Sequence, residues 1–271
     1  MALSASANAE LVYGVTDNQS LVRFDSATPE TIIGASFLSG LQQNEQILGI
    51  DFRPATGQLY GLGSFNNLYT IDVTNGAASL VGSGFSDALS GSSFGFDFNP
   101  TIDRIRVVSE ADQNLVLNPN TGGSTAVTDL FYAAGDPNEG ADPNIAGSAY
   151  TNSVAGATTT QLYGIDTGLD VLVTQANSAG TLETVGSLGV DLNDVLGFDI
   201  SGASGTAFAS VEMIGLSRST FWTIDLSTGA ATMIDEIGGG AVVTSIAVVP
   251  APSAAGLAFV GALVGTGVRR R

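Results

Sequence analysis

One phrase recurs along this chain, and its recurrence restricts the possible fold more than any other feature. Its centre is Leu-Tyr-Gly: LVYG begins at Leu11, and QLYG begins at Gln58 and again at Gln161. RIRVV at Arg104 and TAFAS at Thr206 fill the corresponding slots. Each is followed by a segment that ends in turn residues: LVRFDSATP, LYTIDVTNG, LVLNPNTGG, LVTQANSAG and FWTIDLSTG. A short apolar piece comes next, such as ASLVGSG from Ala78 or LETVGSL from Leu182. The unit closes on a Gly-led segment: LGIDFRP from Leu48, FGFDFNP from Phe94 and LGFDISG from Leu196, with GSAYTN and SIAVVP in the degenerate slots. The spacing is roughly 45 residues, the length of a four-stranded propeller blade.

The segments are short and rich in Val, Ile, Leu, Phe, Tyr and Thr, which suits strands. Asn75-Gly76, Gly122-Gly123 and Thr228-Gly229 punctuate them as turn residues do. Nothing within 11–250 keeps helical spacing for three turns. Several segments are apolar on both faces, as in sheets covered on both sides. The expected fold is therefore all-β: a five-bladed β-propeller of four-stranded antiparallel blades over residues 10–250. An open pair of β-sandwiches is the alternative. The phase of the repeat predicts how the ring closes. Residues 11–37 hold three strands, and Ser245–Val249 supplies the fourth from the far end of the chain. Pairing the N- and C-terminal strands removes an exposed edge.

Charge bounds the partners. Acidic residues outnumber basic ones by 26 to 8, for a net charge of −18. Such a surface repels phosphate backbones and argues against nucleic acid as a partner. There is no Cys, His or Lys. That rules out Cys or His zinc sites, thiol nucleophiles, a Ser-His-Asp triad and Schiff-base chemistry.

The two ends carry address information. Ala7-Asn8-Ala9 before Glu10 fits the small-x-small rule of signal-peptidase cleavage, so residues 1–9 are read as a signal-peptide remnant or a disordered end. Residues 251–271 are read as a sorting or membrane tail. Pro250 and Pro252 precede an apolar run that ends in Arg269, Arg270 and Arg271. As a short helix the run is roughly 22 Å long, less than the roughly 30 Å hydrocarbon core, which suits marginal or transient membrane insertion. This ending resembles the PEP-CTERM sorting signals of exported bacterial proteins, departing from them at Ala251, where the family has Glu. The resemblance implies an exosortase-type processing enzyme as a partner.

The strings GIDFRPATGQLYGLG, GFDFNPTIDRIRVVSEADQNLVLNPNTG and AYTNS resemble a bacterial family catalogued as domain of unknown function 4394. The resemblance covers roughly residues 11–249. It implies a propeller-like, exported protein and assigns no activity.

Candidate sites follow from the repeat and from where it breaks. The Asp of the Gly-led strand recurs as Asp51, Asp97 and Asp199, with Ala149 and Ala247 in the other two slots. Two readings stay open. Three carboxylates near a central channel would bind a cation or serve as acid and base. Alternatively, each accepts hydrogen bonds from nearby backbone N–H groups. Arg104 and Arg106 alternate on one strand face and either hold an anionic ligand or pair with Asp51 or Asp97. Asp25, Asp72, Asp225 and Asn118 are expected to form Asx turns. The long connection Leu130–Gly147 interrupts the repeat. It carries Asp136, Glu139 and Asp142, and Asp191 and Asp194 are expected on the same face. Oxygen ligands there suit Ca²⁺. The reading that results is an exported, cell-surface or matrix-associated, non-enzymatic propeller that binds polysaccharide or protein. A carboxylate-dependent glycan hydrolase or lyase and a calcium-dependent adhesion module are the alternatives.

Overall fold

The computed structural model describes residues 9–213 and 215–250. Alternation and turn chemistry produce strands throughout, and no α-helix occurs among the described residues. The first sheet receives β1 (Leu11–Thr16), β2 (Ser20–Asp25) and β3 (Thr28–Phe37). The second is β4 (Ile47–Phe52), β5 (Leu59–Gly63), β6 (Asn67–Ile71) and β7 (Ala78–Val81). The third is β8 (Phe94–Asn99), β9 (Arg104–Ser109), β10 (Asn114–Leu117) and β11 (Ser124–Ala126). The fourth holds β12 (Phe131–Tyr132), β13 (Ile145–Tyr150), β14 (Leu162–Asp166), β15 (Val171–Gln175) and β16 (Thr181–Ser187). The fifth is β17 (Leu196–Ile200), β18 (Ala207–Glu212), β19 (Ser219–Ile224) and β20 (Ala231–Glu236). The last strand, β21 (Val243–Val248), returns to the first sheet, whose order is β21-β1-β2-β3.

Each Gly-led segment is the inner strand of its sheet, and the five inner strands meet in a ring: β4 against β8, β8 against β13, β13 against β17, β17 against β21, and β21 against β4. The molecule is a five-bladed β-propeller. The expected closure is present: β21 pairs antiparallel with β1, Val12 opposite Val248 and Gly14 opposite Ile246. One expectation needs correction. The fourth blade has five strands, because β12 adds parallel to β16 at its outer edge, Phe131 opposite Thr181. A strand of two residues has no periodicity to read. The tail, residues 251–271, and residues 1–8 of the cleavage-like N-terminus lie outside the described residues.

The core is divided by blade seam. Burial of apolar area between sheets is the main driving force, and each seam has its own cluster. Tyr13, Phe52 and Tyr69 fill the seam between blades one and two. Tyr60, Phe96 and Phe98 fill the next, and Phe24, Phe221 and Ile246 fill the one that closes the ring. Aromatic rings meet edge-on in these three seams, with centroids 5.7 Å apart for Tyr13–Phe52, 5.1 Å for Tyr60–Phe98 and 5.1 Å for Phe24–Phe221. Leu192, Phe198 and Ile224 serve the seam of blades four and five. The seam of blades three and four is the polar one. Its apolar cluster is small, and the buried Arg106 and Asn114 cross it to Tyr150 and the segment Asn177–Ser178.

The recurring glycine is explained at the axis. A Cβ at Gly197 would lie 2.5 Å from the Ile246 nitrogen and 2.8 Å from Ser245 backbone atoms; at Gly95 it would lie 2.5 Å from the Ser148 nitrogen. Backbone cannot yield as a side-chain tip can. Gly197→Ala is therefore expected to cost about 3 kcal/mol through overpacking, read as a lower denaturant midpoint at unchanged slope. An unchanged midpoint would contradict so tight an approach of the inner strands.

Candidate functional site

Three residues of the repeat define levels along the axis. Leu48, Phe94 and Leu196 stand at the start of their inner strands, the glycines follow, and Asp51, Asp97 and Asp199 come three residues after the first level. Three residues of strand span about 10 Å.

The lower level holds the carboxylates. The structure brings Asp51, Asp97 and Asp199 together, each offering an oxygen within 4.8 Å of the others. It also shows what they do. Asp51 accepts from the N–H of Phe52 at 2.6 Å and from that of Phe98, on the next blade, at 2.7 Å. Asp97 accepts from Tyr150 N–H of the fourth blade at 3.1 Å. Asp199 accepts from Ile200 N–H at 2.6 Å and from Val248 N–H of the first blade at 2.5 Å. Each Asp thus ties its inner strand to the next. The Ala149 and Ala247 slots have no carboxylate for this, and Ser245 does related work, its Oγ accepting from Ile50 N–H at 2.9 Å.

Burial sets the protonation of this trio. Desolvation, with the negative charge of Asp199, pushes Asp51 well above the ordinary carboxylate range. Desolvation, with the charges of Asp51 and Asp199, does the same to Asp97. Asp199 is pushed up to about 6, chiefly by desolvation, against the lowering effect of its Val248 and Ile200 hydrogen bonds. Like charges this close cannot all ionise without cost. The trio therefore retains protons, or would hold a cation in their place; it is the one group with cation-site spacing among the described residues.

The five loop carboxylates expected to bind Ca²⁺ are not brought together. Asp136 caps the Thr184 backbone and hydroxyl, at 2.7 Å each. Glu139 accepts from Gly135 N–H at 2.8 Å. Asp194 Oδ1 accepts from the Asn144 amide at 2.9 Å and the Thr167 hydroxyl at 2.5 Å. Asp142 and Asp191 are exposed, and Asp142 lies beside Asp112, which burial and that neighbour push up to about 6. Asp136 and Glu139 serve N–H groups of their own loop, at Asn138 and Gly135, and Asp136 and Asp194 also tie the loops to Thr184 and Thr167, since backbone polar groups in a long loop need partners.

The arginine expectation also changes. Arg106 sits directly across from Asp97 in the strand register, yet its guanidinium runs to Asn114 Oδ1 at 2.6 Å, Ser178 Oγ at 3.3 Å and Tyr150 Oη at 3.4 Å. Arg104 donates to the Asp103 carbonyl at 2.8 Å. Neither pairs with Asp51 or Asp97. The ion pair of this region is Arg53–Asp103, bidentate and steadied by Tyr60. The Asx turns do form: Asp25, Asp72, Asn118 and Asp225 each accept from the N–H two residues on, at 2.8, 2.8, 2.9 and 2.8 Å.

The upper level is a pocket that the repeat analysis did not single out. It opens at the axis where the inner strands begin, with a volume of about 250 Å³. Leu48, Phe94, Val195 and Leu196 make its apolar surface; Asp17, Asp194, Gln46 and Ser93 supply polar groups. Backbone irregularity helps shape it. The pairing register slips at Leu48 and again near Thr244, and a bulge re-aims the side chain it carries. Gln19 ties the β1–β2 turn to the wall, its Oε1 accepting from Ile47 N–H at 2.7 Å. One residue before Gln46, buried Glu45 accepts from the Tyr69 hydroxyl at 2.6 Å and the Asn67 amide at 3.0 Å. Desolvation, then Glu45, pushes Tyr69 up to about 12. Of its polar lining, the interrupted repeat pointed only to Asp194, on the face of the long connection.

A five-bladed propeller with a sealed, backbone-bonded carboxylate core and an open axial pocket defines the class of this protein. It belongs to the family described as Domain of unknown function (DUF4394), whose model matches residues 20–247. No curated protein matches its sequence. Among solved structures, a chain of the nidogen/laminin complex is similar at 13% identity and a TM-score of 0.51, over 89% of this chain and 98% of that one. A protein of unknown function from Bacteroides thetaiotaomicron is similar at 12% identity and a TM-score of 0.52, over 91% of this chain and 68% of that one. A chain of Kuenenia stuttgartiensis hydrazine synthase matches at 12% identity and a TM-score of 0.44; the match covers 73% of this chain and about half, 52%, of that one. The first two likenesses concern the fold alone.

Proposed function

We propose that the protein is a non-enzymatic binding module, exported to the cell envelope, outer surface or extracellular matrix, which takes its ligand in the axial pocket. The observation that carries this reading is the separation of the two levels. The converging carboxylates, which a glycan hydrolase or lyase would need, are 1–3% exposed and held by backbone N–H groups. Their convergence serves the ties between inner strands, and burial comes first among the causes of their raised pKa. The concave, partly apolar surface that a ligand can reach lies above them, in the form that binding sites take. Export rests on the sequence: the tail from Pro250 to Arg271 suits transient membrane insertion and handling by an exosortase-type enzyme. Extracellular polysaccharide or protein are the partner classes this address offers.

The test is a glycan and divalent-metal binding screen on the full chain beside Leu48→Trp, in which a half-buried wall residue is enlarged to fill the pocket. Wild-type binding that Leu48→Trp removes at unchanged melting temperature is the expected result. Ligands that bind both proteins equally would move the site elsewhere, and turnover of a glycan that Asp97→Asn abolishes would end the non-enzymatic reading.

A further inference from the structure

The ligand class of the axial pocket is written in the charge around it. The loops and turns at this end of the ring carry Asp17, Asp136, Glu139, Asp142, Asp191 and Asp194. Among the described residues, the one basic side chain in these loops is Arg218, and Glu236 neutralises it at 3.0 Å. Arg53 and Arg104 sit at the opposite end of their inner and second strands. The field at the pocket mouth is therefore negative, and a concave, low-dielectric wall focuses it.

The pocket itself has two kinds of surface. Leu48, Phe94 and Leu196 offer apolar contact. Asp17 and Asp194 line the same space. Each uses Oδ1 locally: Asp17 accepts from Asn18 N–H at 2.9 Å, and Asp194 from Asn144 and Thr167. Among the described residues, Oδ2 of each carries no hydrogen bond. Resting on the axial pocket as the binding site, we propose that its ligand is an organic ammonium ion: an apolar body seated on Leu48, Phe94 and Leu196, with a cationic nitrogen between Asp17 and Asp194.

The probes are n-pentylammonium, 1-pentanol and pentanoate, titrated into the full chain by calorimetry and by NMR of the Leu48, Leu196 and Phe94 resonances. Pentylammonium is expected to bind at least about tenfold tighter than pentanol, a difference of about 1.4 kcal/mol, and pentanoate not measurably. Binding should weaken as salt is raised, since the attraction is screened. Asp17→Asn with Asp194→Asn should lose about tenfold for pentylammonium and leave pentanol unchanged; Asn keeps the local acceptor oxygen, so the fold is retained. Pentylammonium no tighter than pentanol, or indifferent to the double variant, overturns the ammonium assignment. If neutral glycans then bind in a manner that Leu48→Trp abolishes, the binding-module reading stands without it. If amines and glycans alike leave the Leu48, Leu196 and Phe94 resonances unmoved, both fall.

Discussion

Removal of residues 243–271 is expected to abolish cooperative folding, although the deletion reaches only one strand of the domain. Strand β21 is the inner strand of the first blade and contacts β1, β4, β17 and β18. Its Val243, Ile246, Ala247 and Val248 are buried. Fully burying a Val or Ile is worth about 1.5–3 kcal/mol, so these side chains together approach the whole stability of about 5–15 kcal/mol typical of a domain. Loss of β21 also leaves Ile50 N–H without Ser245 Oγ and Asp199 without Val248 N–H, and unpaired buried polar groups add to the cost. The ring opens at two seams, exposing the edge of β1. Circular dichroism and a denaturant titration would check this. A synthetic peptide of residues 241–250 should restore the cooperative transition when added to the truncated chain. A truncated chain that unfolds at the wild-type midpoint would show that the ring does not depend on its closing strand.

Stability is expected to rise as pH falls from 8 to about 5, against the usual acid trend. Asp51, Asp97 and Asp199 are raised in the folded chain, while an unfolded Asp titrates near 3.9. Between that value and the folded ones, the folded chain holds more protons than the unfolded chain. The free energy of unfolding therefore decreases as pH rises through this window, and the contribution is complete only below it. For Asp199, raised to about 6, the gap from the unfolded value corresponds to about 3 kcal/mol. Asp51 and Asp97 act in the same direction.

Repulsion within a chain of net charge −18 has the same sign, but salt screens it, whereas a buried cluster is screened much less. The slope should survive 0.5 M NaCl and a chelator. Asp97→Asn should flatten it and raise stability at pH 8 by about 1–3 kcal/mol, because the amide still accepts from Tyr150 N–H and can donate to a neighbouring carboxylate. If the variant matches wild type at every pH, the trio does not set the profile. Below about pH 4 the trend reverses. Thr74 holds Asp72, and Ser227 holds Asp225, below the ordinary range, and protonation removes those contributions.

Much of the architecture could be read from the chain because each blade repeats the same local problem. Leu-Gly-x-Asp, Leu-Tyr-Gly and the Asx turns recur wherever an inner strand, a second strand and a hairpin must form. The phase of the repeats also exposed the missing strand of the first blade, and with it the closure by β21. The site was only half legible. Repetition flagged Asp51, Asp97 and Asp199 and suggested backbone support as one reading; in the structure each accepts from backbone N–H groups. Their convergence belonged to the other reading, and both hold at once: the three oxygens lie within 4.8 Å of one another. The loop carboxylates misled, since Asp136 and Asp194 look like ligands until Thr184, Asn144 and Thr167 are seen beside them. Glu45 left no mark at all; its partners Asn67 and Tyr69 stand more than twenty residues away.

By itself the amino-acid sequence determined strand periodicity, turn chemistry, the number of blades, the order of ring closure and the sign of the surface field. These depend on neighbours along the chain or on sums over it. The tertiary structure alone decided which carboxylates share protons, that Arg106 turns from Asp97 toward Asn114 and Ser178, and that Leu48, Phe94 and Leu196 face a common space beside Asp17 and Asp194. Those outcomes depend on a few ångströms between residues far apart in the chain, and such distances exist only once five sheets have closed around an axis.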